Sequence, residues 1–244
     1  MTQPINQRFN YHPDPRHSIK SDRKVLSRLA FISSKVDFQD KIVLDLGCSG
    51  GFFSFELSKV AKKVIAIDGD EEIIARNKSL QRELGIRNIE FIHSNINRDI
   101  LSSVGKVDVT LFLSVFHHML TSSDAYDWNN GLKFDEIKAM LEVLNKITSI
   151  LIFEMGETNE GYEWCERMPK ECQNNHEFIV TNIFKNDYKI IDYFQRHENI
   201  NFFNSLFIAK LSSSFKIDSK LVSMIKRLCR FDSRDFRKIY IGKK

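Results

Sequence analysis

Three short stretches of this chain combine residue types and spacings that could do chemistry. The first is Asp45-Leu46-Gly47-Cys48-Ser49-Gly50-Gly51, which closes an apolar run and opens a helical pattern, with Asp68 ending the next apolar run 23 residues after Asp45. Small residues in such a turn let the backbone approach a ligand, and a carboxylate at the neighbouring strand tip can accept hydrogen bonds from two ribose hydroxyls. The second stretch is Leu113-Ser114-Val115-Phe116-His117-His118, again directly after a strand-like run. Imidazole at that edge is suited to removing a hydroxyl proton, because its ordinary pKa of about 6.5 lies near neutrality. The same pair serves equally to brace the loop, and spacing does not say which of the two would be functional. The third is Glu154, which ends another apolar run and could orient a histidine or an acceptor hydroxyl, or simply bond its own loop.

Two familiar phosphate-binding fingerprints are missing. Counting G-x-G-x-x-G from Gly47 finds Ser49 and Phe52 at the second and third glycine positions, which argues against a nicotinamide dinucleotide. There is also no G-x-x-x-x-G-K-[ST].

The elements that must position these residues follow from the hydropathy pattern. Compact apolar runs at Ile42 to Leu46, Val64 to Ile67, Ile89 to His93, Val107 to Leu113 and Ile150 to Met155 predict strands. Helical spacing between them predicts helices from Phe52 to Lys63, Glu71 to Leu84 and Phe134 to Ile147. This alternation predicts an α/β fold with a mostly parallel sheet covered on both faces. Tyr188 to Phe194 and Asn201 to Leu211 follow one another with no helical segment between, so they are expected to pair antiparallel through a loop at 195–200, making seven strands. Ser212-Ser213-Ser214 marks a boundary, after which Phe215, Leu221, Val222, Ile225 and Leu228 suggest an amphipathic basic helix. The expected organisation is thus an N-terminal basic arm or helix (1–41), a central domain (42–211) and a basic helical C-terminal extension (212–244).

The chain has 244 residues, 42% hydrophobic and 28% charged, which excludes disordered and collagen-like classes. No apolar run approaches the roughly 20 residues of a membrane span, and the polar start carries no secretory pattern, so the expected location is the cytoplasm. Four cysteines, without paired C-x-x-C spacing, read as reduced thiols. Cys165, Cys172 and His176 fall within twelve residues, yet no metal site is expected from them, and Cys48 reads as a small packing residue. Residues 212–244 carry a net charge of +7 and residues 1–41 a net +4, leaving −7 for the middle. Such asymmetry points to an anionic partner.

The Asp45-x-Gly47-x-Ser49-x-Gly51 pattern resembles the first motif of class I S-adenosylmethionine (SAM) methyltransferases, D-x-G-x-G-x-G, with serine at the middle glycine. The resemblance spans residues 42–211 and implies a seven-stranded Rossmann-like sheet ending in an antiparallel hairpin, with SAM as cofactor. It implies that Asp45, Gly47, Cys48, Ser49, Gly51 and Phe52 form the cofactor loop, Gly47 and Cys48 facing the amino-acid part. Asp68 and Gly69 would meet the ribose, and Ser114 would close the pocket. Asn95, where many members have aspartate, would lie beside adenine, with Ile96 reached through its main chain. Tyr11, Arg16 and Arg23 precede the core, where such a segment could fold over the pocket and pair an arginine with the cofactor carboxylate; a solvated basic arm is the alternative.

An N-P-P-Y tetrapeptide, found in many nitrogen-directed members, is absent after the fourth strand. Asp45 to Ser54 together with Leu113 to His118 resembles the methyltransferase domain of bifunctional kinase–methyltransferases that terminate bacterial O-antigen chains. Asn10-Tyr11, Arg16 and Trp128 to Leu132 resemble the Bin3-type RNA 5′-phosphate methyltransferases. Both imply an oxygen-bearing anionic acceptor, with His117, His118 and Glu154 as candidate catalytic residues. The expectation is a glycan or small anionic metabolite. The alternatives are RNA held by the basic tail, or a non-catalytic relative whose tail contacts a membrane surface or a partner.

Overall fold

The computed structural model of the chain describes residues 25–121, 134–156, 175–185, 187–195 and 238–244. β1 (Ile42–Leu46) is flanked by β2 (Lys63–Asp68) and β4 (Val107–Leu113), with β3 (Ile89–His93) beyond β2 and β5 (Thr148–Glu154) beyond β4, all parallel. β6 (Lys189–Gln195) and β7 (Lys238–Lys243) complete a seven-stranded sheet in the order β3-β2-β1-β4-β5-β7-β6. β7 runs antiparallel to both neighbours. The chain reverses its winding direction between β1 and β4, and ligands of doubly wound sheets bind outside the carboxyl ends at such a point.

The alternation of side chains along each strand sends them to two separate layers. On one face, Val43, Ala66, Val109, Leu111 and Ile152 pack with Ile32 of α1 (Val25–Lys35), Phe55 of α2 (Phe52–Leu57) and Ile74 of α3 (Glu71–Glu83). On the other face, Leu44, Ile67, Phe112 and Phe153 pack against three further helices. Leu101 comes from α4 (Arg98–Val104), Phe116 from α5 (Phe116–Thr121), and Leu141 and Leu144 from α6 (Phe134–Ile147). The expected stripe Ile137, Met140, Leu141 and Leu144 is the buried face of α6. α7 (Asn175–Phe178) runs into a π-helical turn at Ile179–Phe184.

The expected α/β sheet, its seven strands and its terminal antiparallel pair are all present, but the last strand is not where the hydropathy pattern put it. Residues 238–243, expected within the helical extension, form β7, and Asn201 to Leu211 lie outside the described residues. The reason is that β7 sits between two strands and is buried on both faces from Ile239 to Gly242, so it shows no alternation, and lysines at its ends made it resemble the tail. Gly242 is required there because a Cβ would stand 2.5 Å from the Phe184 ring. The short α4 was not anticipated; Asn97 starts it by accepting hydrogen bonds from the amides of Asp99 (3.0 Å) and Ile100 (2.9 Å). Among the described residues no helix is long and apolar enough to cross a membrane.

Candidate active site

The turn after β1 is held by backbone bonds to β2 and by two side chains, Asp68 and Asn77, that bond Ser49. The amides of Gly47 and Cys48 both donate to the Ile67 carbonyl, at 2.8 and 3.1 Å, so the loop is clipped onto the tip of β2. Gly47 (φ 72°) and Gly51 (φ 78°) take left-handed conformations, as does Ser49 (φ 47°). At Gly47 a side chain is also excluded by space, since a Cβ would lie 2.2 Å from Cγ2 of Val115. Asn77 of α3, buried, donates from Nδ2 to the Ser49 carbonyl at 2.7 Å and fixes the strained residue from below.

Asp68 ends β2 and accepts one amide on each oxygen, Ser49 at 2.7 Å and Asp70 at 3.0 Å. Burial raises its carboxyl above the usual carboxylate range, although those two amides pull it down. Asp45 lies behind the loop, accepts the Ser54 hydroxyl at 2.5 Å, and is pushed up to about 6, chiefly by burial and in part by the charge of Asp68. Cys48 is buried in the core, and burial together with the two aspartates pushes its thiol up, so it packs rather than reacts.

At the other side of the cleft the loop after β4 carries Ser114 in a left-handed conformation (φ 62°). Its amide donates to the Glu154 carbonyl at 2.8 Å and its hydroxyl donates to Glu154 Oε1. Glu154 Oε2 in turn pairs with Nη2 of Arg28 at 3.0 Å, both side chains only 3–4% exposed. The Arg28 guanidinium also stacks 5.3 Å from the centroid of Phe53 in α2. His117 is buried, its Nδ1 accepting the Gly156 amide at 3.1 Å, with the His118 ring centroid 4.2 Å away.

Between the two sides lies an open cleft lined by Gly47, Ser49, Asp68, Gly69, Asn95, Ile96, Leu113, Ser114, Val115 and His118. Eight of these residues, all but Leu113 and Val115, were expected from the sequence. Asp45, Cys48, Gly51 and Phe52 are not among the residues that line the cleft. The two histidines separate: His118 lines the cleft, while His117 braces the chain after β5. Glu154 stands behind Ser114 as a buried partner rather than at the cleft wall. Tyr11, Arg16 and Arg23 lie outside the described residues, as do Cys165, Cys172 and the segment 196–237. His176, their expected neighbour, meets the Tyr240 hydroxyl at 2.8 Å.

Sequence reasoning missed Arg28, Ser54, Asn77 and Val115. A signal existed for Arg28, which sits one turn before Ile32 on the buried stripe of α1, an unusual place for a charge. The cleft fits a nucleoside carrying a cationic sulfur. Asp68 offers remaining lone pairs beside backbone amides, and Ile96, Leu113 and Val115 offer apolar walls.

Residues 37–205 match the family described as "Methyltransferase domain". The O-antigen chain terminator bifunctional methyltransferase/kinase of Escherichia coli is 31% identical over 156 residues, covering 64% of this chain and 20% of that protein. This chain therefore matches about one fifth of that relative's length. A crystal structure of that bifunctional kinase–methyltransferase superposes with a TM-score of 0.59 at 27% identity, over 81% of this chain and 42% of the other. The ubiquinone biosynthesis O-methyltransferase of Nitrosococcus oceani is 26% identical over 155 residues, 62% of this chain and 63% of that one. In fold, the chain is similar to the magnesium protoporphyrin IX methyltransferase of Synechocystis solved with bound SAM, with a TM-score of 0.54 at 16% identity over 90% and 77% of the two chains.

Proposed function

This chain belongs to the methyltransferase-domain family, and from that premise we propose that it takes its methyl from SAM and methylates an oxygen of a glycan or small anionic metabolite. The observation that carries the oxygen reading is His118, an imidazole lining the cleft one turn beyond the tip of β4. The ubiquinone biosynthesis relative, an O-methyltransferase, supports an oxygen acceptor, and the O-antigen chain terminator supports a glycan.

In this reading Asp68 holds the ribose hydroxyls, the amides around Gly47 and Ser49 approach the amino-acid part, and Asn95 and Ile96 flank the base. When bound, the cofactor supplies a methyl already activated on a sulfonium sulfur. The protein has therefore to align the acceptor oxygen and keep water away. For a hydroxyl acceptor, His118 takes the proton as the oxygen becomes methylated; an ionised phosphate needs no such base.

Two measurements test this. Titration calorimetry with SAM and S-adenosylhomocysteine is expected to show binding that weakens at least tenfold, about 1.4 kcal/mol, in Asp68→Ala. An acceptor screen with methyl-labelled SAM, read by mass spectrometry, is then repeated on His118→Gln. Transfer to a hydroxyl is expected to fall by roughly 10²–10⁴ with SAM affinity within about twofold, whereas transfer to a phosphate is expected to persist. Absence of binding by either nucleoside overturns the reading, and so does label recovered on nitrogen or carbon.

A further inference from the structure

Ser114 holds a backbone conformation that a serine adopts only at a cost, and it does so on the wall of the cleft. Its hydroxyl and its amide both end on Glu154, and the free side of that carboxylate ends on Arg28. Arg28 belongs to α1, more than eighty residues earlier in the chain, and its guanidinium also lies over Phe53 in the helix that follows the cofactor loop. The next residue, Val115, fills the space that a side chain on Gly47 would need. One buried guanidinium thus links α1, α2, the tip of β5 and the loop that closes the cleft over Gly47.

Resting on the reading of this cleft as the SAM site, we propose that Arg28 is a positioning residue for methyl transfer. It acts through Glu154, which it orients and neutralises so that the carboxylate can hold Ser114 in its left-handed conformation and keep Val115 and His118 at their places on the cleft wall. A buried carboxylate deprived of its cation would protonate or turn toward other donors, and the tether on Ser114 would be lost. Arg28 itself is not among the residues that line the cleft.

The test removes the pair as a unit, because deleting one charge alone risks unfolding. Arg28→Met with Glu154→Met replaces both charges by apolar side chains of similar size, a change that buried ion pairs often tolerate. The protein, folded by circular dichroism, is titrated with SAM and S-adenosylhomocysteine. The expected result is at least tenfold weaker binding by the double variant. Adding Ser114→Gly is expected to recover most of that loss, because glycine adopts positive φ without a tether. A merely structural pair would lower the melting temperature without this recovery. Arg28→Lys is the second variant should the double one fail to fold: it keeps the charge but loses the planar fork, and about threefold weaker binding is expected. Double-variant affinity within twofold of the parent, or no recovery with glycine, overturns the proposal. If the double variant is unfolded, Arg28→Lys with parental affinity overturns it. A parent chain that binds neither nucleoside overturns the reading of the cleft itself, which separates the two failures.

Discussion

The two sides of the cleft solve the same problem in opposite ways. On the β1–β2 side, the loop is shaped by left-handed residues and by amides bonded within one turn of sequence or to the adjacent strand. On the β4–β5 side, the loop is shaped by a relay of side chains from Ser114 to Glu154 to Arg28, with partners 40 and 126 residues apart. Each side also buries a strand-tip carboxylate. Glu154 pairs directly with the Arg28 guanidinium, whereas Asp45 is bonded by Ser54 and feels Arg28 only as a lesser influence than its own burial, which pushes it up to about 6. Local backbone geometry leaves a sequence signature, and long-range side-chain geometry does not.

The largest effect is expected where local shape is absolute. Gly47→Ala adds a left-handed alanine and a Cβ 2.2 Å from Val115, together costing about 2–5 kcal/mol. Chemical denaturation is expected to show that loss along with the loss of SAM binding. Adding Val115→Ala should restore the steric part and leave the conformational part, so partial recovery is the expected signature. Full recovery would mean that φ at Gly47 matters little and would break the contrast drawn here.

Next comes the carboxylate whose burial outweighs its neighbours. Burial pushes the Asp45 carboxyl up to about 6 in the folded chain from its ordinary value of 3.8. Between those values the native state holds more protons than the unfolded state, so the stability contributed by this group is full below about pH 4 and is lost as pH rises through about 6. The loss is on the order of 3 kcal/mol. Asp45→Asn keeps an acceptor for Ser54 and cannot ionise. Its stability relative to the parent is therefore expected to climb from about pH 4 to about pH 7, measured by urea denaturation at each pH. A difference that stays flat with pH would show that the Asp45 site is better solvated than its burial implies.

Asn77 tests a long-range side-chain bond on the β1–β2 side. Asn77→Ala leaves the Ser49 carbonyl without its 2.7 Å partner, for an expected loss of about 1–3 kcal/mol and a several-fold weakening of SAM binding. Stability lost with affinity unchanged would assign Asn77 to packing alone.

How much of this was legible follows the same division. The strands β1 to β5, the capped helix after Asp68 and the glycine-rich loop after β1 are local patterns, legible in Asp, Gly and β-branched spacing. Ser49 appeared as a departure from a glycine motif, and the structure gives it the left-handed φ that a glycine would occupy. β7 was misplaced because an interior strand lacks alternation. The different roles of His117 and His118 were invisible because adjacent residues of a short helix point to different sides, and only the fold says which side is the cleft. Arg28 could be suspected from its position on an apolar stripe, but its partner could not, since nothing in a linear pattern marks Glu154 as its neighbour.

The smallest expected effect makes the sharpest comparison. Ser49 and Ser114 both pay for a positive φ, at 47° and 62°. The Ser49 contacts that matter run through its amide and carbonyl, which glycine keeps. Ser49→Gly should therefore relieve backbone strain, partly offset by the entropy of a freer unfolded chain, for a net gain of up to about 1 kcal/mol. Ser114→Gly relieves a similar strain but removes the hydroxyl that bonds a buried carboxylate, which costs about 1–3 kcal/mol. In the parent background the first substitution is expected to raise the denaturation midpoint and the second to leave it unchanged or lower it. If both raise it, the Glu154 bond contributes nothing net, and the β4–β5 side is held by its backbone as the β1–β2 side is. If both lower it, the left-handed cost at Ser49 is already offset by contacts of its side chain.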